Sequence, residues 1–101
     1  MFLVLWEYEV KPGNAERFEK VYGPAGDWVQ LFRTDLHYHE TRLLRDPFRQ
    51  NVYLTLDFWA SRESYEGFMA AHRAEYKKID AAGESVTIQE RRVGAFEQIS
   101  P

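Results

Sequence analysis

Apolar residues in this chain recur in two rhythms, every second position and every third or fourth. Phe2 to Val10 reads as a strand, ended by the turn signal Lys11-Pro12-Gly13. Phe18, Val21 and Tyr22 share one helical face, which predicts a helix from Ala15 to about Tyr22, with Asn14 as its cap and Glu16 near its positive end. Gly23-Pro24-Ala25-Gly26 interrupts it, and Asp27 caps a short segment with Trp28, Leu31 and Phe32 on one side. A second strand runs roughly from Leu36 to Leu44 and stops at Asp46-Pro47; a third runs from about Val52 to Trp59. Ser61 then caps a long helix, Arg62 to Ile79. Its stripe of Tyr65, Phe68, Met69, His72, Tyr76 and Ile79 keeps the helical period over four turns, and Ala81-Ala82-Gly83 closes it. The last strand is about Ser85 to Phe96, with Gly94 marking a bulge or a close approach.

Strand, helix, strand, strand, helix, strand is the order of a ferredoxin-like α+β sandwich. A four-stranded antiparallel sheet carries both main helices on one face, because right-handed crossovers put them there. Residues 1–101 make one domain. Alternation leaves neither sheet face clearly polar. On the first strand Val4, Trp6 and Tyr8 oppose Leu3 and Leu5; on the third, Val52, Leu54, Leu56 and Phe58 oppose Tyr53, Thr55, Asp57 and Trp59. Two helices cover one face only. The other calls for a second copy of the chain, in a homodimer with an interface on the order of 1,600 Å². The face expected to lie uncovered is the one with Trp6, Tyr8, Tyr53, Asp57 and Trp59.

Composition narrows the partners. The net charge is −3 and no basic stripe is visible, which argues against nucleic acid. The absence of cysteine excludes disulfides and thiolate chemistry, and fits a reducing, cytoplasmic setting. The apolar N-terminal run is too short for a bilayer. Aromatic residues make up 16% of the chain, enough for a thick core, a ring-lined cavity, or both.

Several segments in order resemble the antibiotic-biosynthesis-monooxygenase-like family of dimeric α+β barrels. They are Val10-Lys11-Pro12-Gly13, Phe18-Glu19-Lys20-Val21-Tyr22, the run from Gly26 to Phe32, the run from Thr41 to Asp46, Asp57-Phe58-Trp59-Ala60-Ser61, and Val93-Gly94-Ala95-Phe96. The resemblance implies a dimer whose paired sheets enclose a barrel-like cavity, and oxygenation of a phenolic or quinol-like molecule without a cofactor. It also implies a pocket tryptophan at Trp59. The haem-degrading branch of the family fits poorly, since Trp6 stands where that branch carries asparagine.

Cofactor-free oxygenation needs a base, a dry aromatic pocket and donors for the substrate anion. Asp57 shares a strand face with Tyr53, Thr55 and Trp59. If that face lines a cavity, its pKa rises and it becomes a candidate acid or base; the rival is a solvated aspartate or one paired with Arg42. His37 and His39, two apart on a strand, are the other proton-moving candidates. As a metal pair they would need His72, which reads better as a core histidine donating to a backbone carbonyl. The expected site therefore comprises Asp57, His37 and His39 as catalytic groups, and Trp6, Tyr8, Tyr53, Thr55 and Trp59 as pocket, with no metal or cofactor. The alternative is a non-catalytic dimer that binds a small ligand or none.

Overall fold

The computed structural model describes residues 1–100. Strands β1 (Phe2–Val10), β2 (Tyr38–Arg45), β3 (Val52–Trp59) and β4 (Thr87–Glu97) form one antiparallel sheet in the order β2-β3-β1-β4. Helices α1 (Ala15–Tyr22) and α2 (Asp27–Phe32) connect β1 to β2, and α3 (Arg62–Ala71) and α4 (Arg73–Glu84) connect β3 to β4. This is the ferredoxin-like α+β fold: β3 separates β1 from β2, and β1 separates β3 from β4.

Local chemistry accounts for the ends of these elements. The Ser64 N–H donates to Ser61 Oγ at 3.1 Å, capping α3 as expected. Asn14 does not cap α1. Its amide donates to the Pro12 carbonyl at 3.2 Å instead, and its oxygen accepts from Arg17. The expected single long helix is two, broken at His72, whose φ is −121°. The His72 ring stacks on Phe68 with centroids 4.1 Å apart, and its Nδ1 lies 3.0 Å from the Phe68 carbonyl oxygen, a local bond that competes with straight helix. Beyond the break, α4 runs through Ala81, Ala82 and Gly83 to Glu84. Two alanines propagate a helix rather than end it.

Residues directly opposite in an antiparallel pair point to the same side. Phe2 faces Trp59, Val4 faces Asp57, Trp6 faces Thr55 and Tyr8 faces Tyr53. The helices cover this side. Tyr8 meets Tyr22 at 4.5 Å, Phe18 meets Tyr53 at 4.9 Å, and Trp59 meets Phe68 at 5.2 Å between ring centroids. The expectation that these strand residues face away from the helices is therefore reversed. Both faces are apolar, so alternation alone does not say which one the crossovers cover. The open face is aliphatic, with Leu3, Leu5, Leu54 and Leu56 beside Phe58, Leu44 and Phe96. A charged network closes one end of it, where Arg49 and Arg91 reach Glu7 at 2.6 and 3.4 Å. At Gly94 the β1–β4 register shifts: Leu5 faces Gly94 but Trp6 faces Arg92, leaving Val93 as an extra residue.

Gly83 permits the closest approach in the core. A methyl group there would collide with the Tyr22 hydroxyl. Gly83→Ala is expected to cost on the order of 1–3 kcal/mol in urea denaturation. Tyr22→Phe removes the colliding oxygen but leaves ring carbon Cζ 2.8 Å from the added methyl, and should recover only part of that loss in the double variant.

Candidate active site

A cleft lies between the aromatic face of the sheet and the helices. Trp6 and Tyr8 form its floor; Phe32, Tyr65, Met69 and Tyr76 form its walls. Its polar groups fall into two sets. Thr41, Thr55 and Asp57 come from β2 and β3; Tyr22, Trp28, Asp80 and Glu90 come from α1, α2, α4 and β4.

Asp57 sits on β3 between Thr55 and Trp59 on the covered side, which the period of two dictates. Thr41, its cross-strand partner on β2, donates to Asp57 Oδ1 at 2.6 Å, and Tyr38 donates to the Thr41 hydroxyl at 2.8 Å. Among the described residues no cation pairs with Asp57. Arg42 points to the other side, over the Phe58 ring at 5.2 Å, and bonds Glu40. Burial raises the Asp57 pKa to about 6, the Thr41 bond offsetting part of the rise. A carboxyl with that pKa exchanges protons readily near neutral pH.

At the second set, Asp80 and Glu90 are both held above the usual carboxylate range, first by burial and then by neighbouring acids: Glu84 acts on both, and Asp80 on Glu90. The Tyr22 hydroxyl and Trp28 Nε1 are buried and have no hydrogen-bond partner among the described residues. Burial pushes the Tyr22 phenol up, with Glu90 the next cause. Tyr76 is raised to about 12, mainly by burial and then by Asp80.

Space in the inner cleft is small. The centre of a water-sized molecule has about 30 Å³, room for very few waters. A groove of about 600 Å³ lies outside it, over α3 and α4. Tyr65, Met69, Tyr76 and Asp80 line both, so they form the partition between them.

The structure brings together Trp6, Tyr8, Thr55 and Asp57 of the expected residues. Tyr53 packs against Phe18, and Trp59 is wholly buried in the aromatic core; neither lines the cleft. His37 and His39 are exposed. His37 precedes β2 and its ring bonds Asp35 at 3.1 Å; His39 is the extra residue where the β2–β3 register shifts. Their His-x-His spacing predicts a common side only in regular strand, and the loop and bulge remove that condition. Among the described residues no three potential metal ligands converge. Tyr22, Trp28, Thr41, Asp80 and Glu90 escaped the sequence reading. Asp80 carried a signal, since it lies four residues beyond Tyr76 on the apolar stripe.

The sequence matches the family model "Antibiotic biosynthesis monooxygenase" over residues 1–81. No curated protein matches it. Among solved structures, it is similar to SnoaB of Streptomyces nogalater, a cofactor-independent oxygenase, at 16% identity and a TM-score of 0.79, covering 99% of this chain and 94% of that one. A candidate antibiotic biosynthesis monooxygenase of Caulobacter crescentus matches at 18% identity and a TM-score of 0.79, covering 98% and 90%. A counterpart from Nitrosomonas europaea matches at 12% and 0.75, covering 99% and 100%. At these identities the likeness establishes the fold.

The raised Asp57 pKa fixes the sign of a stability effect. Its protonated form is favoured by folding, so its contribution is full below about pH 4 and is lost as pH rises through about 6. Asp57→Asn keeps the acceptor for Thr41 and carries no charge. It is expected to be the more stable protein at pH 8, by on the order of 2–3 kcal/mol, and to show no advantage at pH 3.5. Urea denaturation at the two pH values measures this.

Proposed function

The chain belongs to the antibiotic biosynthesis monooxygenase family, and from that premise we propose that it is a cofactor-independent monooxygenase acting on a small hydroxylated aromatic, or quinol-like, substrate. The observation that carries the reading is a carboxyl with a pKa of about 6 in an aromatic cleft with no cation at its side. Asp57 takes the hydroxyl proton, and the electron-rich anion reduces dioxygen. A carbon–oxygen bond forms at a ring carbon conjugated to that hydroxyl. Asp57 returns its proton to the resulting peroxide and then takes the ring C–H proton as the O–O bond breaks. One oxygen atom remains as the new carbonyl of a quinone. The other leaves as water, protonated by Asp57. The substrate supplies all the electrons, so the balance needs no second reductant. Thr41 and Tyr38 orient the carboxyl and are positioning residues.

The non-catalytic alternative draws its support from the small inner space. One measurement separates the two. With 1-naphthol, oxygen uptake should match naphthoquinone formation, and kcat should rise with pH through about 6. Asp57→Asn is expected to lower kcat at least tenfold, while the double variant His37→Ala, His39→Ala stays within twofold. Full activity in Asp57→Asn would overturn the role given to it.

The homodimer belongs to this proposal too, through the aliphatic face rather than the aromatic one. Leu56 lies in mid-strand on that face, between Arg42 on β2 and Leu5 on β1. Leu56→Arg would place a charge in the middle of a packed interface. By light scattering at micromolar concentration, the native chain is expected as a dimer and this variant as a monomer.

A further inference from the structure

The cleft has a second polar end, and nothing in the proposed oxygenation uses it. We propose that Tyr22, Trp28, Asp80 and Glu90 form a recognition subsite for an uncharged hydroxyl group of the substrate, remote from the reacting end, and that this subsite excludes carboxylates. The inference rests on the reading of the cleft as a substrate pocket and names which substrates it admits.

Two independent features coincide there. The first is a pair of buried donors. Tyr22 is 3% exposed and Trp28 9%, and neither the hydroxyl nor the indole N–H finds a partner among the described residues. The two groups lie near one another without reaching hydrogen-bond geometry, and both line the cleft. A buried donor without a partner keeps the full cost of its lost hydration, so a ligand acceptor placed there is strongly favoured. The second feature is the acid pair. Asp80 and Glu90 also line the cleft, and among its described lining residues there is no lysine, arginine or histidine; Arg73 and Lys77 lie in the outer groove, beyond the partition. Arg92, two residues along β4, lies beside the Tyr65 hydroxyl. A ligand group here must therefore donate to a carboxylate and accept from an N–H and an O–H. A neutral hydroxyl does both. A ligand carboxylate accepts only, and would add a third negative charge to two that already repel.

The sheet register sets the distance between the ends. Asp57 faces Val4 from one side of β1, and Glu90 faces Tyr8 from the other. Four residues of rise and two inter-strand spacings put their Cα atoms roughly 16 Å apart. Side chains reaching inward from both ends leave a span suited to a short linear polycycle with oxygens at opposite ends. Such a molecule needs more room than the inner cleft alone holds. Met69, Tyr65 and Tyr76 divide the cleft from the outer groove, and unbranched Met69 is the most adaptable of them.

Equilibrium binding under nitrogen, where no turnover occurs, tests the subsite. The probes are anthracene-2,6-diol, 2-anthrol and 6-hydroxyanthracene-2-carboxylate, followed at pH 8 by quenching of tryptophan fluorescence. The native protein is expected to bind the diol at least tenfold more tightly than the mono-ol, and the hydroxycarboxylate at least tenfold more weakly than the mono-ol. Glu90→Gln, on a half-exposed strand position, should bring both ratios below threefold. Trp28→Phe, which keeps the ring packing but loses the donor, should lower the diol preference without admitting the carboxylate. Native protein that binds the hydroxycarboxylate as tightly as the diol, or a Glu90→Gln variant with both ratios unmoved, would overturn the proposal. The same diol in air reads the chemistry separately. Discrimination without oxygen uptake would remove the oxygenase and keep the subsite; uptake without discrimination would do the reverse.

Discussion

Trp59 ends β3 with no exposed surface, and its ring meets Phe32 of α2, Tyr38 of β2, and Tyr65 and Phe68 of α3. Truncating a ring so enclosed typically costs 3–5 kcal/mol. This contact sets much else. It fixes how closely α2 and α3 lie on the sheet, and Ser61, two residues on, starts α3 by capping it. Asp57, two residues back, is committed by the strand period to the same side. The carboxyl is desolvated because the aromatic layer beside it must be buried. Its raised pKa follows from packing, with no special arrangement of charge.

The two sides of the sheet differ in kind. Rings from helices and strands interlock on one, where edge and tilted contacts dominate. Leucines predominate on the other. Interlocked rings leave irregular gaps, and polar groups from six elements, β2, β3, α1, α2, α4 and β4, reach into the cleft among them. The proposed chemistry and the proposed self-association use opposite sides of the same strands.

The fold was legible in the sequence because its signals are local: period two in the strands, period near 3.6 in the helices, and turn residues between them. The third strand and first helix fall at their expected limits. The His72 break was hidden because the stripe runs unchanged through it, and the backbone bonds from His72 to Phe68 and from Tyr76 to His72 are both kept while the His72 dihedrals leave the helical region. The site was half legible. Asp57, Thr55, Trp6 and Tyr8 follow from alternation on neighbouring strands. Tyr22, Trp28 and Glu90 depend on how the helices and β4 dock, a non-local fact that spacing does not encode. Trp59 was misplaced for a related reason. A strand-end tryptophan can cap a cavity or fill a core, and the rings of α2 and α3 decide which.

The extra residue at Val93 has a consequence for how this chain can change. Along β1 and β3, even and odd positions write two separate messages, one for the cleft and one for the aliphatic surface. Substitutions in one leave the other unread. On β4 the code switches phase at Val93. Before it, even positions such as Glu90 and Arg92 belong to the cleft side; after it, odd positions such as Ala95 do. A one-residue deletion at this point would remove the bulge and leave both messages in phase, with Ala95 still on the cleft side and Phe96 still on the aliphatic one. The same loss in the middle of β3, which pairs with β1 in unbroken register, would turn every later side chain over. The bulge is therefore a place where the chain can lose a residue without exchanging its two surfaces.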